Sequence, residues 1–260
     1  MTSQSYTQQL TQFRDTLYHN FNNRADTLME LVDAMCSNVT AQSVVEYTLT
    51  PCFRRTYTAL YKAIDACQWQ EEQLARLLAP YLPRPKQRSF WLLGVDVTPQ
   101  PRPYSFTLPD RGMVYKPNPV RGNKPVTIGH QYSSVALLPE AEEGVSSSWV
   151  VPLRTGRVRT DQDKELVGAE QIDALLQDDS LPLHEELCVE VGDTGYSKPA
   201  YLYANRHHAN LVTIARARSN RIFYRQFVST QKQAGHPKWY GATFSLKDPT
   251  TWHEVDEKAT

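Results

Sequence analysis

The 260-residue sequence has no net charge, four cysteines and no apolar run near the roughly 18 residues that a membrane-spanning helix needs. The last absence excludes a transmembrane helix. Cys36, Cys52, Cys67 and Cys188 form no CxxC pair and have no His at a zinc-ligand spacing, so no structural zinc motif is expected. The segment Met1 to Tyr6 has no basic region leading into an apolar stretch, so no secretory leader is expected either. The thiols then read as reduced and mostly buried, and the acceptor pattern Asn38-Val39-Thr40 has no meaning in a cytosolic chain. There is no GxSxG elbow, no GxxxxGK[ST] loop and no GxGxxG turn, which leaves serine hydrolysis, nucleotide hydrolysis and dinucleotide binding without support. Repeats and low-complexity tracts are also missing. What remains is ordinary globular composition: 40% hydrophobic, 10% aromatic and 22% charged residues.

The zero net charge conceals a strong asymmetry. Residues 1–88 carry nine Lys/Arg against eight Asp/Glu, and residues 89–192 carry nine against fifteen. Residues 194–247 carry nine basic side chains and no carboxylate, with His207, His208 and His236 besides. Surfaces normally mix both signs, so a span of one sign points to a polyanion, most often nucleic acid. Arg216, Arg218, Arg221 and Arg225 cluster with Phe223 and Tyr224, a mixture suited to phosphates and stacked bases. The competing reading is that these cations pair with the acidic middle block across an interface.

Residues 1–88 read as a bundle of about four helices, with apolar residues at three- and four-residue spacing: Leu10, Phe13, Leu17 and Phe21; Leu28, Leu31, Val32 and Met35; Tyr57, Leu60, Tyr61 and Ile64. Pro51 is expected to open one helix, and Pro80 to stop another that runs from Glu71 to Leu78. A Pro-and-basic linker, Pro83 to Arg88, then marks the best domain boundary. The run Phe90 to Val97 reads as a central strand buried on both faces, and residues 98–123 as a long ordered loop. Strands over Pro125–Leu138 and Ser148–Val158, with a turn over Glu140–Ser147, complete an antiparallel meander. A helix follows over Asp161–Gln177, with acidic residues in its first turn, apolar Leu166, Ile172, Leu175 and Leu176 on one face, and its acidic side read as a solvated face. Next come a buried strand Leu187–Asp193, a helix from Lys198 to His207, a strand Leu211–Arg216 and, through Trp239 to Leu246, strands of an irregular region. Trp69, Trp91 and Trp149 read as core, His130 as a hydrogen-bonded core or rim residue, and His207-His208 as cations favoured near a helix end.

The order is helices, then β-β-β-α-β-α-β, with Asp96 on the first strand and Asp193 ending the fourth. A buried unpaired carboxylate is costly, so each needs a reason: a cap, or a metal ion that repays the desolvation. In α/β sheets ligands collect where strands end and the topology reverses, and two aspartates on adjacent strands there could share divalent cations.

The segments Leu93-Gly94-Val95-Asp96-Val97-Thr98, Leu108 to Tyr115, Gly122 to Ser133, Val191-Gly192-Asp193-Thr194-Gly195-Tyr196-Ser197 and Ala215 to Arg221 resemble bacterial insertion-sequence transposases of the DDE superfamily. The resemblance implies an α/β fold: an N-terminal helical bundle (1–88), a ribonuclease H-like core (89–217) and the start of an insertion region (218–260). It implies that Asp96 and Asp193 are catalytic and metal-binding, holding two Mg²⁺ or Mn²⁺ ions for phosphodiester cleavage and strand transfer. It implies double-stranded DNA at transposon ends as partner, contacted by Arg216, Arg218, Arg221, Arg225 and Lys198. A homodimer in a synaptic complex and a place at the bacterial nucleoid, not at a membrane, follow in the same way. The family's third carboxylate lies on a later helix within a spaced Tyr, Arg, Glu, Lys signature. After Asp193 the sequence offers only Asp248, Glu254, Asp256 and Glu257, none in that context. The expectation is therefore a truncated form, ending before the final helix and inactive alone. The alternatives are a non-catalytic DNA-binding remnant, or a nuclease completed by Glu254 or Glu257.

Overall fold

The computed structural model describes residues 5–69, 71–116, 122, 125–141, 149–228 and 239–254, in which a run of helices precedes a mixed sheet. The helices are α1 (Tyr6–Asn20), α2 (Ala25–Ser37), the single turn α3 (Val44–Tyr47), α4 (Tyr57–Ala66) and α5 (Glu71–Leu78). Three of their starts follow from capping chemistry. Ser5, Ser43 and Thr56 each accept a first-turn backbone N–H, and Ser5 with Gln8 closes a capping box. Pro51 opens no helix; it lies in a turn, and α4 begins at the Thr56 cap, because a hydroxyl satisfies an orphan N–H that proline cannot. The helix expected over Glu71–Leu78 is α5, which ends before Pro80, and a 3₁₀ turn over Ala79–Tyr81 follows. The bundle centres on Ala34, Phe53 and Leu60. Helix α1 buries no residue fully and leans on its neighbours through Phe13 against Tyr81, edge-on at 5.5 Å, and an Arg14–Asp33 ion pair.

The sheet contains β1 (Trp91–Pro101), β2 (Gly112–Tyr115), β3 (Val126–Leu137), β4 (Val151–Val158), β5 (Cys188–Gly192) and β6 (Leu211–Ala215), with α6 (Lys164–Gln177) and α7 (Pro199–Ala204) as connections. Strand β3 lies between β1 and β4, antiparallel to both, while β5 runs parallel to β1 and β6 parallel to β5. The resulting order, β4-β3-β1-β5-β6, is ribonuclease H-like. One strand is additional. Part of the stretch expected as a loop over 98–123 is strand: β1 runs on to Pro101, and β2 pairs with Val126–Gly129 of β3. Only tertiary pairing gives so short and glycine-flanked a segment its strand character. Arg121, residues 142–148 of the expected turn, and 255–260 lie outside the described residues.

Trp91, Leu93 and Val95 of β1, Val135 and Leu137 of β3 and Leu153 of β4 form one buried cluster with Ala169, Ile172, Leu175 and Leu176 of α6. The expected apolar face of α6 is buried through Ile172, Leu175 and Leu176, and burial extends further than expected, since a crossover between two halves of a sheet must lie on that sheet. Its Glu165 and Gln171 are buried too, and Gln171 and Ser133 exchange hydrogen bonds of 2.7 and 3.2 Å. Ala75 and Leu82 join this cluster from the helical part. Glu140 accepts linker N–H groups from Lys86, Gln87 and Arg88 at 2.8, 2.9 and 2.7 Å, and these bonds hold its carboxyl below the usual range.

Several expected details differ. The helix expected from Lys198 is Pro199–Ala204, because a residue before proline is pushed out of helical φ/ψ, and Lys198 is extended. A 3₁₀ turn over Thr194–Ser197 precedes it. Trp91 is buried and Trp69 packs on Phe21, but Trp149, ahead of the edge strand β4, is 49% exposed. Of the four cysteines only Cys188 is buried, and Cys36 is exposed. The tail forms a separate two-stranded sheet of β7 (Ile222–Gln226) and β8 (Tyr240–Ser245).

Candidate active site

Strand register positions the two aspartates. Strands β1 and β5 pair in parallel from Trp91–Cys188 to Gly94–Val191, and Asp96 and Asp193 each come two residues after that last pair. Both line one pocket of about 510 Å³, together with Gly94, Ser134, Ala136 and Val191. Alternation along β1 buries Trp91, Leu93 and Val95 and turns Gly94 and Asp96 to the opposite face. Asp96 is consequently exposed, not enclosed in a strand buried on both faces: its apolar neighbours serve the face under α6, and its own face is open.

Asp193 Oδ1 accepts the Gly195 N–H at 2.7 Å, capping the turn that follows and fixing this carboxylate. The Asp96 carboxylate has no hydrogen-bond or ion-pair partner among the described residues. Close by, Tyr196 is buried with its hydroxyl unpaired among the described residues. Burial pushes the Tyr196 pKa up, and the charges of Asp96, Glu165, Asp193 and Glu190 push it the same way. Gly192 makes room for that ring, for a Cβ there would lie 2.7 Å from Tyr196 Cβ. Two carboxylates without a cationic partner in one open pocket are a hard-oxygen donor set, which fits Mg²⁺ or Mn²⁺. No third ligand joins them: among the described residues the one cluster of three potential ligands is Asp173, His207 and His208.

Glu165 went unrecognised in the sequence. It borders the same turn as Asp193, since a Cβ on Gly195 would meet Glu165 Oε1 at 2.9 Å and Asp193 Oδ1 at 3.0 Å. Lys198 Nζ donates to Glu165 Oε2 at 2.7 Å and lies 3.5 Å from Asp163 Oδ2, so its charge is shared with two carboxylates of the acidic block. The Glu165 hydrogen bond accordingly raises the Lys198 pKa.

The arginines are arranged differently. Arg216 follows β6 and its N–H donates to the Gly192 carbonyl at 3.3 Å, while Arg221 reaches Ser197 Oγ at 3.5 Å, placing both at the Asp193 turn. Among the described residues no carboxylate lies within ion-pair distance of Arg216, Arg218 or Arg221. Arg225 sits on β7 beside Phe223 and Tyr224, which are 51% and 50% exposed, and Tyr224 packs on Tyr240 at 4.8 Å. The basic span therefore splits: Lys198, His207 and His208 meet the acidic block, and among the described residues Arg216, Arg218 and Arg221 do not. Lys232, His236 and Lys238 lie outside the described residues. His130 is buried with Nε2 3.0 Å from the Pro109 carbonyl oxygen, a structural histidine as expected.

A ribonuclease H-like sheet with paired acids at its topological switch point defines a class of metal-dependent phosphoryl-transfer nucleases. Within that class, the family model for DDE superfamily endonucleases matches residues 16–260, and the chain belongs to this family. Its members act on nucleic acid and use divalent metal ions. No curated protein matches the sequence. Among the described residues no helix is long and apolar enough to cross a membrane.

Proposed function

We propose that the protein is a DNA transposase of the insertion-sequence type, in which Asp96 and Asp193 hold the catalytic Mg²⁺ or Mn²⁺ ions. The observation that carries this reading is the shared pocket at the carboxyl edge of two adjacent parallel strands. When bound, such ions activate a water or 3′-hydroxyl and stabilise the leaving oxygen of the phosphodiester. Asp193, fixed by Gly195 N–H, is the rigid ligand, and Asp96 across the strand gap is the adjustable one. Arg216, Arg218 and Arg221, with Arg225 and the aromatic hairpin behind them, receive the DNA backbone next to these acids. Lys198 orients Glu165 and Asp163 at the rim and contributes less to DNA than the arginines. A two-ion site needs a third carboxylate, and none of Asp248, Glu254, Asp256 and Glu257 stands in the family's signature context, so cleavage depends on one that these residues do not supply, and the pair alone binds metal weakly. A homodimer assembled on two transposon ends belongs to the same reading.

Mn²⁺ binding followed by electron paramagnetic resonance tests the site: Asp96→Asn or Asp193→Asn should weaken it by at least about tenfold, the lower end of what loss of even an outer-shell partner costs. Unchanged binding overturns the assignment. DNA affinity should fall steeply with salt, by about 0.9 log units per log unit of salt for each phosphate neutralised. Replacing Arg216 and Arg218 by Ala should flatten that slope by roughly two contacts. Supercoiled plasmid incubated with the chain and Mn²⁺ should stay intact. Nicking that Asp96→Ala abolishes would show that no further carboxylate is needed, whereas absence of DNA binding at low salt would remove the transposase reading altogether.

A further inference from the structure

Away from the Asp96–Asp193 pocket, a second group of metal-ligating side chains lies toward the far end of α6. Asp173 on that helix faces His207 and His208, which follow α7 in the turn into β6. His208 Nε2 lies 2.7 Å and His207 Nε2 3.1 Å from the same Asp173 oxygen, Oδ1, and all three potential ligand atoms fall within 4.8 Å of one another. The two imidazole rings lie 4.1 Å apart between centroids. Two imidazole nitrogens thus converge on a single carboxylate oxygen. As a ligand set this is a good arrangement: around a tetrahedral zinc with bonds near 2.0–2.1 Å, ligand atoms stand about 3.3 Å apart, close to the separations present here. Gln177 Nε2 donates to both Asp173 oxygens at 2.9 Å and holds the carboxylate in place, as outer partners of metal ligands do. The His208 side chain is 11% exposed and the His207 side chain 54%, so the cluster is packed on one side and open to an entering ion on the other.

We propose that Asp173, His207 and His208 form a binding site for a borderline transition-metal cation, with Zn²⁺ as its best-matched guest and a water in the open position. Two imidazoles and one carboxylate favour Zn²⁺, Ni²⁺ or Cu²⁺ over Mg²⁺, so the site differs in chemistry from the all-oxygen Asp96–Asp193 pair. Its ligands come from α6 and from a turn 34 residues later, between α7 and β6. The bound cation fastens the crossover helix to the strand beside β5, and thereby braces the half of the sheet from which Asp193 emerges. Its role is that of a structural clamp, independent of whether the chain cleaves DNA.

The test uses the full chain, freed of metal by chelation, in the native form and with Asp96→Asn and Asp193→Asn to silence the other pocket. Equilibrium dialysis against Zn²⁺ should give one tightly held ion per chain in both. Co²⁺ in its place should give the visible absorption bands of a four-coordinate site. His207→Ala, at an exposed position that does not threaten folding, and the isosteric Asp173→Asn should each weaken Zn²⁺ binding by at least about tenfold. They should also abolish the rise in Tm that Zn²⁺, but not Mg²⁺, produces in the native chain. Equal Zn²⁺ affinity in the native, His207→Ala and Asp173→Asn chains overturns the proposal, as does absence of Zn²⁺ binding by the native chain.

Discussion

The two faces of the central sheet are built from the same strands and obey opposite rules. On the α6 face, Leu93, Val95, Val135, Leu137 and Ile172 are almost fully enclosed, and the polar groups there are paired: Ser133 with Gln171, Asn205 with the Ala169 carbonyl, Glu190 with Tyr201 and Thr213. The Tyr196 hydroxyl is the exception. On the opposite face Gly94, Asp96, Ser134, Ala136, Val191 and Asp193 border an open pocket, and the Asp96 carboxylate has no partner among the described residues. One face supplies the cohesion that lets the other keep small side chains and unneutralised charge. The period-two alternation of each strand makes this division possible, because neighbouring residues on one strand serve different faces.

Substitutions on the sealed face should be the most damaging. Ile172→Ala removes a fully buried side chain from the middle of α6 and should cost about 2–5 kcal/mol in urea unfolding. A loss below 1 kcal/mol would mean that α6 does not cement the sheet. Glu190 tests the same face through charge. Burial pushes its pKa up, against the hydrogen bonds from Thr213 and Tyr201 that favour the ionised form. The folded chain therefore holds this proton to higher pH than the unfolded chain, whose carboxyl ionises near about pH 4.3. Stability is full below that point and declines as pH rises through the interval up to the folded-state pKa. Glu190→Gln can still accept from Thr213 and engage Tyr201, so it should stabilise the protein at pH 7 by about 1 kcal/mol, the usual scale of one substitution. The gain should vanish in Tm measurements below about pH 4, where both carboxyl states are protonated.

How much of this was legible in the sequence depends on the range of the interactions. The apolar runs that carry Asp96 and Asp193 near their ends are local patterns, and they led to the strands and to the expectation that the two residues meet at one sheet edge; the parallel pairing and the pocket come from the fold. The crossover helix and its apolar face of Ile172, Leu175 and Leu176 were legible, but the burial of Glu165 was not, because what covers it is decided by Lys198 and by the turn after Asp193. Glu190 stands in an apolar run, Cys188-Val189-Glu190-Val191, and its partners Tyr201 and Thr213 become neighbours only in the fold. The Asp173 cluster joins residues more than thirty positions apart, and no ligand spacing announces it. Strand β2 was missed because proline and glycine dominate its surroundings and its pairing with β3 is the whole of its strand character. Arg216 and Arg221 were legible as basic residues; the backbone and Ser197 contacts that carry them to the Asp193 turn were not.

The smallest expected effect makes the sharpest test of the contrast between the faces. Asp96→Asn removes an exposed carboxylate that anchors nothing, and Asp193→Asn keeps an oxygen for the Gly195 N–H, since asparagine caps as well as aspartate. Each should change unfolding free energy by no more than about 0.5 kcal/mol without added metal, the range of surface substitutions. Combining them should slightly raise stability, because two like charges no longer share one pocket. Divalent metal should reverse the order: Mn²⁺ should raise the Tm of the native chain and leave the double variant unmoved, because a ligand stabilises only the fold that binds it. If Asp96→Asn instead unfolds the protein like a core deletion, the open face contributes to cohesion after all, and the division of labour between the two faces fails.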